Sequence, residues 1–232
     1  MVSVNYTTVV GLNSIYAVVD PPTAANGSIR EQNETNNKGH YALLVGIYQV
    51  FAGGSLNELR IADNALIAAF TWNESNTTGS NVFVADTQSS ITFTTLQAIG
   101  RNATNGTGVG TNDFEEIDIR LNITGLNESV NNTWTSGGQP HGLENITLFK
   151  RYVMDIPVVN STNTTSFRTG ILWDMSDGGN AYNRSQDIIF MTVMNQSQVG
   201  QYGTYDYEIK VPAPLRDYIV GGGTITFYAE IK

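Results

Sequence analysis

The first ten positions alternate between two kinds of side chain. One side of the alternation holds Val2, Val4, Tyr6, Thr8 and Val10, and mostly polar residues stand between them. Because successive side chains of a strand point to opposite faces, the pattern predicts a strand with one apolar face. It is either the first strand of its own sheet or a donor strand, which adds to an open sheet edge of the next copy through main-chain hydrogen bonds.

A second β-branched run, residues 15–19, ends at Asp20, Pro21 and Pro22, where pairing should stop. Residues 23–38 are polar and predict a long loop or linker. The organisation we expect is therefore a donor-strand tail over residues 1–22, a linker over residues 23–39 and a head domain over residues 40–232.

The head domain carries short apolar patterns separated by turn signals. Residues 40–51 are nearly continuously apolar, which predicts a core strand buried on both faces. Residues 55–72 predict a short helix or turn and then a strand, whereas residues 100–111 and 125–142 predict loops. Further strands are expected at residues 81–85, 90–98, 114–123, twice within 143–159, and at 167–173, 187–194, 204–211 and 224–231.

About ten short strands predict an all-β fold, an immunoglobulin-like or pilin-like β-sandwich with an extended N-terminal donor strand. Pro157 suggests the edge or the end of its strand. The last pattern alternates up to Lys232, and in a donor-strand fold this last strand would border the groove that receives the next copy.

Composition excludes several classes of function. The 232 residues contain no cysteine, so we expect no disulfide framework and no thiolate metal site. Charged residues make up 14% with a net charge of −9, which argues against a nucleic-acid partner. No apolar run reaches the roughly 18 residues of a membrane span. No signal peptide is evident, so an exported form would be the processed chain.

The strongest signal is the sequon, Asn-x-Ser/Thr, which marks N-glycosylation sites on the surface of secreted proteins. Fifteen sequons occur, whereas 24 asparagines and 41 serine and threonine residues would give about 4 by chance. They begin at Asn5, Asn26, Asn33, Asn73, Asn76, Asn102, Asn105, Asn122, Asn127, Asn131, Asn145, Asn160, Asn163, Asn183 and Asn195. The excess favours a heavily N-glycosylated exterior protein; a polar composition without attached glycans is the alternative.

One acidic segment is a candidate metal site. Asp174, Asp177 and Asp187 surround a turn of the kind that can hold Ca²⁺ through carboxylate and backbone oxygens. The spacing does not match an EF-hand, and an ordinary Asp-Gly-Gly turn is the simpler interpretation. We therefore expect no resident cofactor, with Ca²⁺ as the open alternative.

Catalytic candidates are weak. Glu115, Glu116 and Asp118 could include a glycosidase pair, but on a strand neighbouring carboxylates point to opposite faces. His40 and His141 have no nucleophile or metal-ligand partner nearby in the sequence. The prediction is a protein without catalytic residues, which is not an enzyme.

Two local sequences and the overall architecture resemble a known family. LNSIYA at residues 12–17 is similar to a stretch near the mature start of archaeal cannula subunits, and HYALLV at residues 40–45 is similar to the strand that follows it. With the sequon density and the strand at the start, the chain resembles the donor-strand surface filaments of archaea: glycosylated threads of thermoacidophiles and the related cannula and bundling-pilus subunits. The resemblance implies a β-sandwich pilin joined head to tail by its N-terminal strand. Because cannula subunits use calcium, it also keeps the aspartate site open.

Taken together, we expect a structural subunit of an extracellular filament at the cell surface. Its partners would be identical subunits in a homopolymer and N-linked glycans, and its role adhesion or biofilm formation. An S-layer or adhesin β-sandwich domain is the first alternative, and a secreted acid-stable hydrolase is the second.

Overall fold

The computed structural model describes residues 11–18, 38–45, 48–54, 58–61, 66–69, 77–86, 90–100, 112–178, 181–201, 203–212 and 225–232. The chain divides into two compact units, Met1–Gly46 and Ile47–Lys232.

The first unit contains an antiparallel pair, β1 (Gly11–Val18) and β2 (Lys38–Val45). The pairing runs without a register shift from Gly11 opposite Val45 to Val18 opposite Lys38. Residues 40–51, which the sequence predicts as one core strand, therefore form two strands in different units. β2 ends at Val45 and β3 begins at Tyr48, and the division between the two units falls between them.

The second unit holds the remaining described strands and two helices. The strands of its first half are β3 (Tyr48–Gly54), β4 (Glu58–Ile61), β5 (Leu66–Ala69), β6 (Asn81–Asp86), β7 (Leu96–Ala98), β8 (Thr135–Ser136) and β9 (Gln139–Pro140). Those of its second half are β10 (Leu143–Leu148), β11 (Arg151–Asn160), β12 (Arg168–Asp174), β13 (Ile188–Val193), β14 (Gln198–Val199), β15 (Thr204–Tyr205), β16 (Tyr207–Pro212) and β17 (Ile225–Glu230). The helices are α1 (Asp113–Arg120) and α2 (Val130–Trp134).

Two antiparallel sheets dominate this unit. The large sheet has seven strands in the order β10-β11-β12-β13-β6-β17, with β7 also paired to β12, and the small sheet has the order β16-β3-β4-β5. This arrangement confirms the predicted all-β sandwich. Strands β10, β11, β12, β13 and β17 lie close to their predicted positions.

The main core lies between the two sheets. It joins Phe51 of the small sheet and Trp173 of the large sheet with Trp134 of α2, all of them buried. A second cluster covers the opposite face of the large sheet and includes Phe83 and Ile189. The central strands are thus buried on both faces, and each large side chain contributes about 1.5–3 kcal/mol by leaving water.

Three further predicted elements are wrong. Residues 114–123 are predicted as a strand but contain α1, because Phe114, Ile117 and Leu121 follow helical spacing and are buried, while Ile119 is 43% exposed. Acidic residues in the first turn and Arg120 in the last also suit the helix dipole. The predicted loop over residues 125–142 contains α2 and two short strands, and β4 stands where a helix or turn was predicted.

Candidate functional site

The strand order of the large sheet ends in two edge strands, β10 and β17. An edge strand presents main-chain N–H and C=O groups that another chain can pair with, so each edge is a candidate site for strand addition. We call the side of β17 that faces away from β6 the β17 edge, and the side of β10 that faces away from β11 the β10 edge. The two differ in almost every feature that governs pairing.

The β17 edge is regular. Its strand pairs with β6 over six consecutive positions, from Ile225 opposite Asp86 to Glu230 opposite Asn81, without a register shift. Among the described strands β17 pairs with β6 alone. Residues 82–85 of β6 are buried, whereas residues 226–228 of β17 are half-buried. Within the described strands the sheet therefore ends at β17, whose side chains at residues 226–228 are only partly covered.

Aromatic contacts place β17 against both cores. The ring of Phe227 meets Phe51 edge to face with centroids 5.1 Å apart. On the other face of the sheet, Tyr228 meets Phe93 at the same centroid distance of 5.1 Å. A strand added beside β17 would therefore extend two existing apolar layers.

One end of β17 is fastened to its surroundings. The Glu230 carboxylate accepts a hydrogen bond from Asn81 Nδ2 at 2.7 Å and another from Phe149 N at 2.8 Å. The Lys232 backbone N–H donates to Ser80 Oγ at 3.0 Å. No sequence pattern predicts this anchor; its only signal is a carboxylate and a lysine at the end of an otherwise apolar alternation.

The β10 edge is irregular. The pairing with β11 shifts register between Glu144 and Ile146, and Asp155 of β11 takes a left-handed backbone with φ of 53°. Asn145 Oδ1 accepts a hydrogen bond from the Asp155 N–H at 2.8 Å. Glu144 also forms an ion pair with Arg168 at 2.6 Å. Bulges and charges of this kind are devices that discourage pairing at an edge.

The far end of β10 is already engaged. The main-chain oxygen of Thr147 accepts hydrogen bonds from Asn81 Nδ2 at 3.2 Å and from Lys232 Nζ at 2.5 Å. The next residues, Phe149 and Lys150, form the two-residue turn to β11, and both have left-handed φ angles, 48° and 65°. The Phe149 ring stacks on Phe83 of the large sheet with centroids 5.7 Å apart.

Eight sequon asparagines lie in the described residues. Seven are exposed: Asn122, Asn127, Asn145, Asn160, Asn163, Asn183 and Asn195. Asn131 is half-buried, and its Oδ1 accepts a hydrogen bond from Thr135 Oγ1 at 3.0 Å. Asn81, which is not in a sequon, is fully buried. Outside the described residues lie Asn5, Asn26, Asn33, Asn73, Asn76, Asn102 and Asn105.

The candidate calcium ligands have separate structural tasks. Asp174 is buried and accepts hydrogen bonds from Thr92 N at 2.6 Å, Thr95 Oγ1 at 2.7 Å and Ser176 N at 2.9 Å. Burial alone would raise the pKa of Asp174, but these hydrogen bonds outweigh it, so the pKa lies below its usual value. The carboxylate thus holds the turn that precedes β7 against the end of β12.

The other two candidate calcium ligands, Asp177 and Asp187, have different hydrogen-bond and ion-pair partners. Asp177 accepts a hydrogen bond from the Asp187 backbone N–H at 3.0 Å, and the Asp187 carboxylate lies 3.6 Å from Arg120. In the part of the chain that the structure describes, no group of three or more His, Cys, Asp or Glu side chains is placed to hold a metal ion.

The three acidic catalytic candidates lie on α1 but in different surroundings. Glu115 is exposed on α1, Glu116 pairs with Arg184 at 2.7 Å, and Asp118 is buried. Asp118 accepts hydrogen bonds from the first N–H groups of α2, Val130 N at 2.6 Å among them. Burial raises the pKa of Asp118, and hydrogen bonds from Ser129 and from α2 offset this only in part.

The two histidines belong to different units. His141 is exposed after β9, where its backbone N–H donates to Trp134 O at 2.8 Å, and His40 belongs to β2 of the first unit. The predicted donor-strand residues Val2, Val4, Tyr6, Thr8 and Val10 lie outside the described residues. Among the helices that are described, none is both long and apolar enough to cross a membrane.

Comparisons with protein-family models, with curated proteins and with solved structures gave no match.

Proposed function

We propose that the protein is a structural, non-enzymatic subunit of an extracellular, heavily N-glycosylated filament with a role in adhesion or biofilm formation. Identical subunits join head to tail when residues 2–10 of one copy pair with the β17 edge of the next. The observation that carries the proposal is the β17 edge itself, which is regular in register and backed by aromatic contacts on both faces.

The proposed donor strand, residues 2–10, and the β17 edge are chemically compatible. Residues 2–10 offer one apolar face, which suits the apolar core that lies beside Phe227, and a mostly polar face that can remain in solvent. Each apolar side chain buried would contribute about 1.5–3 kcal/mol, and each main-chain hydrogen bond a further 0.5–1.5 kcal/mol or so. A pairing of this length is therefore strong enough to hold a polymer.

The sequons support an exterior position. Seven of the eight described sequon asparagines are exposed, and no sequon follows Asn195, so β16 and β17 carry none. Glycans would then cover loops and turns while the β17 edge stays open for a partner strand. This distribution favours a filament subunit over a protein whose whole surface is covered.

Deleting residues 1–10 tests the assembly. The deletion spares Gly11–Val18, which pairs with β2. We expect complete loss of filaments in negative-stain microscopy. A synthetic peptide of residues 2–10 should then raise the melting temperature of the deletion variant, because a ligand that binds only the native state stabilises it. A peptide of the same composition in scrambled order is the control. Filaments that persist after the deletion, or a melting temperature indifferent to the peptide, would contradict the proposal.

Mass spectrometry of peptides from the native protein tests the glycans separately. We expect most of the fifteen sequons to be occupied, since their number is far above the chance value. Occupancy below about half would favour a polar composition without a glycan coat.

A further inference from the structure

We propose that an N-glycan on Asn145 closes the β10 edge, so that strand addition is confined to the β17 edge and the filament grows without branching. The inference rests on the proposed function, because it needs both glycosylation and assembly by strand pairing. The glycan on Asn145 would then have a specific role in assembly as well as solvating the surface.

The two halves of the β10 edge are protected differently: hydrogen bonds engage the far half, whereas the near half has the register shift and the ion pair between Glu144 and Arg168. At its far end, the Thr147 main-chain oxygen is engaged by Asn81 and Lys232. At its near end, Leu143 is 43% exposed and begins the edge strand without such cover. An exposed apolar start on an edge strand is a site for unwanted pairing. The first half of β10, up to Asn145, is where an additional block would act.

Asn145 is well placed to supply that block. Its amide oxygen is held by the Asp155 N–H of the neighbouring strand, so the nitrogen that carries an N-glycan takes no part in that hydrogen bond. Paired strands lie only about 4.7–4.9 Å apart. A bulky glycan attached within the edge strand would occupy the space that an incoming strand needs.

No other sequon in the described part of the chain lies inside an edge strand. Asn122, Asn127 and Asn183 stand in turns, Asn163 in the segment between β11 and β12, and Asn195 after β13. Asn160 is the last residue of β11, which has neighbours on both sides, and Asn131 belongs to α2. Asn145 alone combines exposure with a central position in β10.

Thr147 offers a substitution that removes the glycan and keeps the bulge. Thr147→Ala destroys the sequon, yet Asn145 keeps its hydrogen bond to Asp155, which Asn145→Gln would disturb. Both hydrogen bonds at Thr147 are accepted by its main-chain oxygen, so they survive the change. Thr147→Ser retains the sequon and is the matched control. Thr165→Ala removes the sequon of Asn163, which is on no sheet edge, and controls for the loss of any one glycan.

The experiment uses the full chain produced with glycosylation. Mass spectrometry must first find glycan on Asn145 of the unaltered protein; an unmodified Asn145 overturns the inference. By negative-stain microscopy, the unaltered protein, Thr147→Ser and Thr165→Ala should form single unbranched filaments. Thr147→Ala should form branched or laterally joined filaments, with light scattering at least tenfold higher at equal concentration.

The remaining outcomes separate this inference from the proposed function. Unbranched filaments from Thr147→Ala would overturn the glycan block and leave the filament role intact. If the unaltered protein forms no filaments at all, the proposed function fails. Sedimentation velocity then decides the present inference. Association of Thr147→Ala beside a monomeric unaltered protein supports it, and two equally monomeric proteins overturn it.

Discussion

The β10 and β17 edges belong to one sheet and are built from similar alternating apolar sequences, yet they differ in how they meet solvent. β10 carries a register shift, an ion pair between Glu144 and Arg168, and a sequon. β17 keeps perfect register with β6 and bears no sequon. The difference lies in the backbone and in single polar residues rather than in mean hydropathy. The alternating apolar pattern thus indicates that a strand exists. Local features such as a register shift, an ion pair or a sequon decide whether its edge can accept another strand.

The largest effect is expected on filament yield, when a lysine is placed on the β17 edge in one variant and on the β10 edge in another. If the two edges differ as proposed, only the first variant should lose filaments. Ala229 is exposed on β17 and Leu143 on β10, so both can be changed without disturbing the core. We expect Ala229→Lys to lower filament yield at least tenfold, because a lysine on an edge disfavours strand addition. Leu143→Lys should leave the yield unchanged. Pelleting of filaments by ultracentrifugation measures both.

The two lysine variants also test the assignment of the edges. Melting temperatures of the unassembled proteins serve as the control and should agree within a few degrees. Loss of filaments in Leu143→Lys with normal assembly of Ala229→Lys would mean that β10 is the acceptor, which contradicts the proposal.

Glu230 links the two edges, and its removal should lower stability the most. The carboxylate accepts hydrogen bonds from Asn81 at one oxygen and from Phe149 at the other. Hydrogen bonds to charged groups contribute roughly 1.5–3 kcal/mol each, so Glu230→Ala should lower the free energy of unfolding by about 3 kcal/mol. Glu230→Gln keeps one acceptor and should cost about half as much. Urea denaturation measures the two values; equal and negligible losses would show that the anchor contributes little.

The sequence predicted the strands of the large sheet well where the apolar pattern was clear. β17 falls almost at its expected position because its apolar and polar positions alternate, and β13 does so because it is a nearly continuous apolar run that is buried on both faces. The sequence of α1 predicts a strand because Ile117, Ile119 and Leu121 alternate, although Phe114, Ile117 and Leu121 also follow helical spacing. Only the exposure of Ile119, which depends on tertiary packing, separates the two interpretations.

The two edges could not be predicted from the sequence. Which strands end a sheet depends on pairing between distant segments, such as β6 with β17, and no local pattern records it. The anchor of Glu230 depends on residues more than 80 positions away, Phe149 among them. By contrast, the exposure of Asn145 follows from its sequon, since glycan acceptors lie on the surface. The exposure of a sequon residue was therefore predictable from the sequence, whereas its position on an edge strand was not.

Acid should weaken the support of the β17 edge through Asp174. This carboxylate holds the turn at Thr92 and Thr95, next to Phe93, whose ring packs on Tyr228. Its folded-state pKa lies below the unfolded value near 4, so its contribution is present above about pH 4 and is lost as pH falls through the folded pKa. Asp174→Asn should cost about 2 kcal/mol at neutral pH, because the amide replaces one of the two acceptor oxygens with an NH2 donor.

Asp118 is a control, because its contribution to stability should change with pH in the opposite direction. Its pKa is raised, so protonation is favoured in the folded state, and stability should rise as pH falls from the folded pKa towards 4. Denaturation between pH 2 and pH 7 measures both effects. Asp174→Asn should flatten the loss of stability below pH 4, and Asp118→Asn should remove the gain above it. A profile unchanged by Asp174→Asn would exclude this carboxylate as a source of acid sensitivity.

The smallest effect is expected at the turn that ends β10. Lys150 is exposed and has a φ of 65°, a backbone conformation that costs an L-residue roughly 1–2 kcal/mol. Lys150→Gly removes that cost but increases the freedom of the unfolded chain, so we expect a net gain of about 0.5 kcal/mol in unfolding free energy. Lys150→Ala keeps the strained backbone and should show no gain. Filament yield should be the same in both variants, because the turn lies at the β10 side of the sheet. A yield that changes with Lys150→Gly would mean that the turn acts on β17 through the hydrogen bond between Phe149 and Glu230, and the two edges would then be coupled.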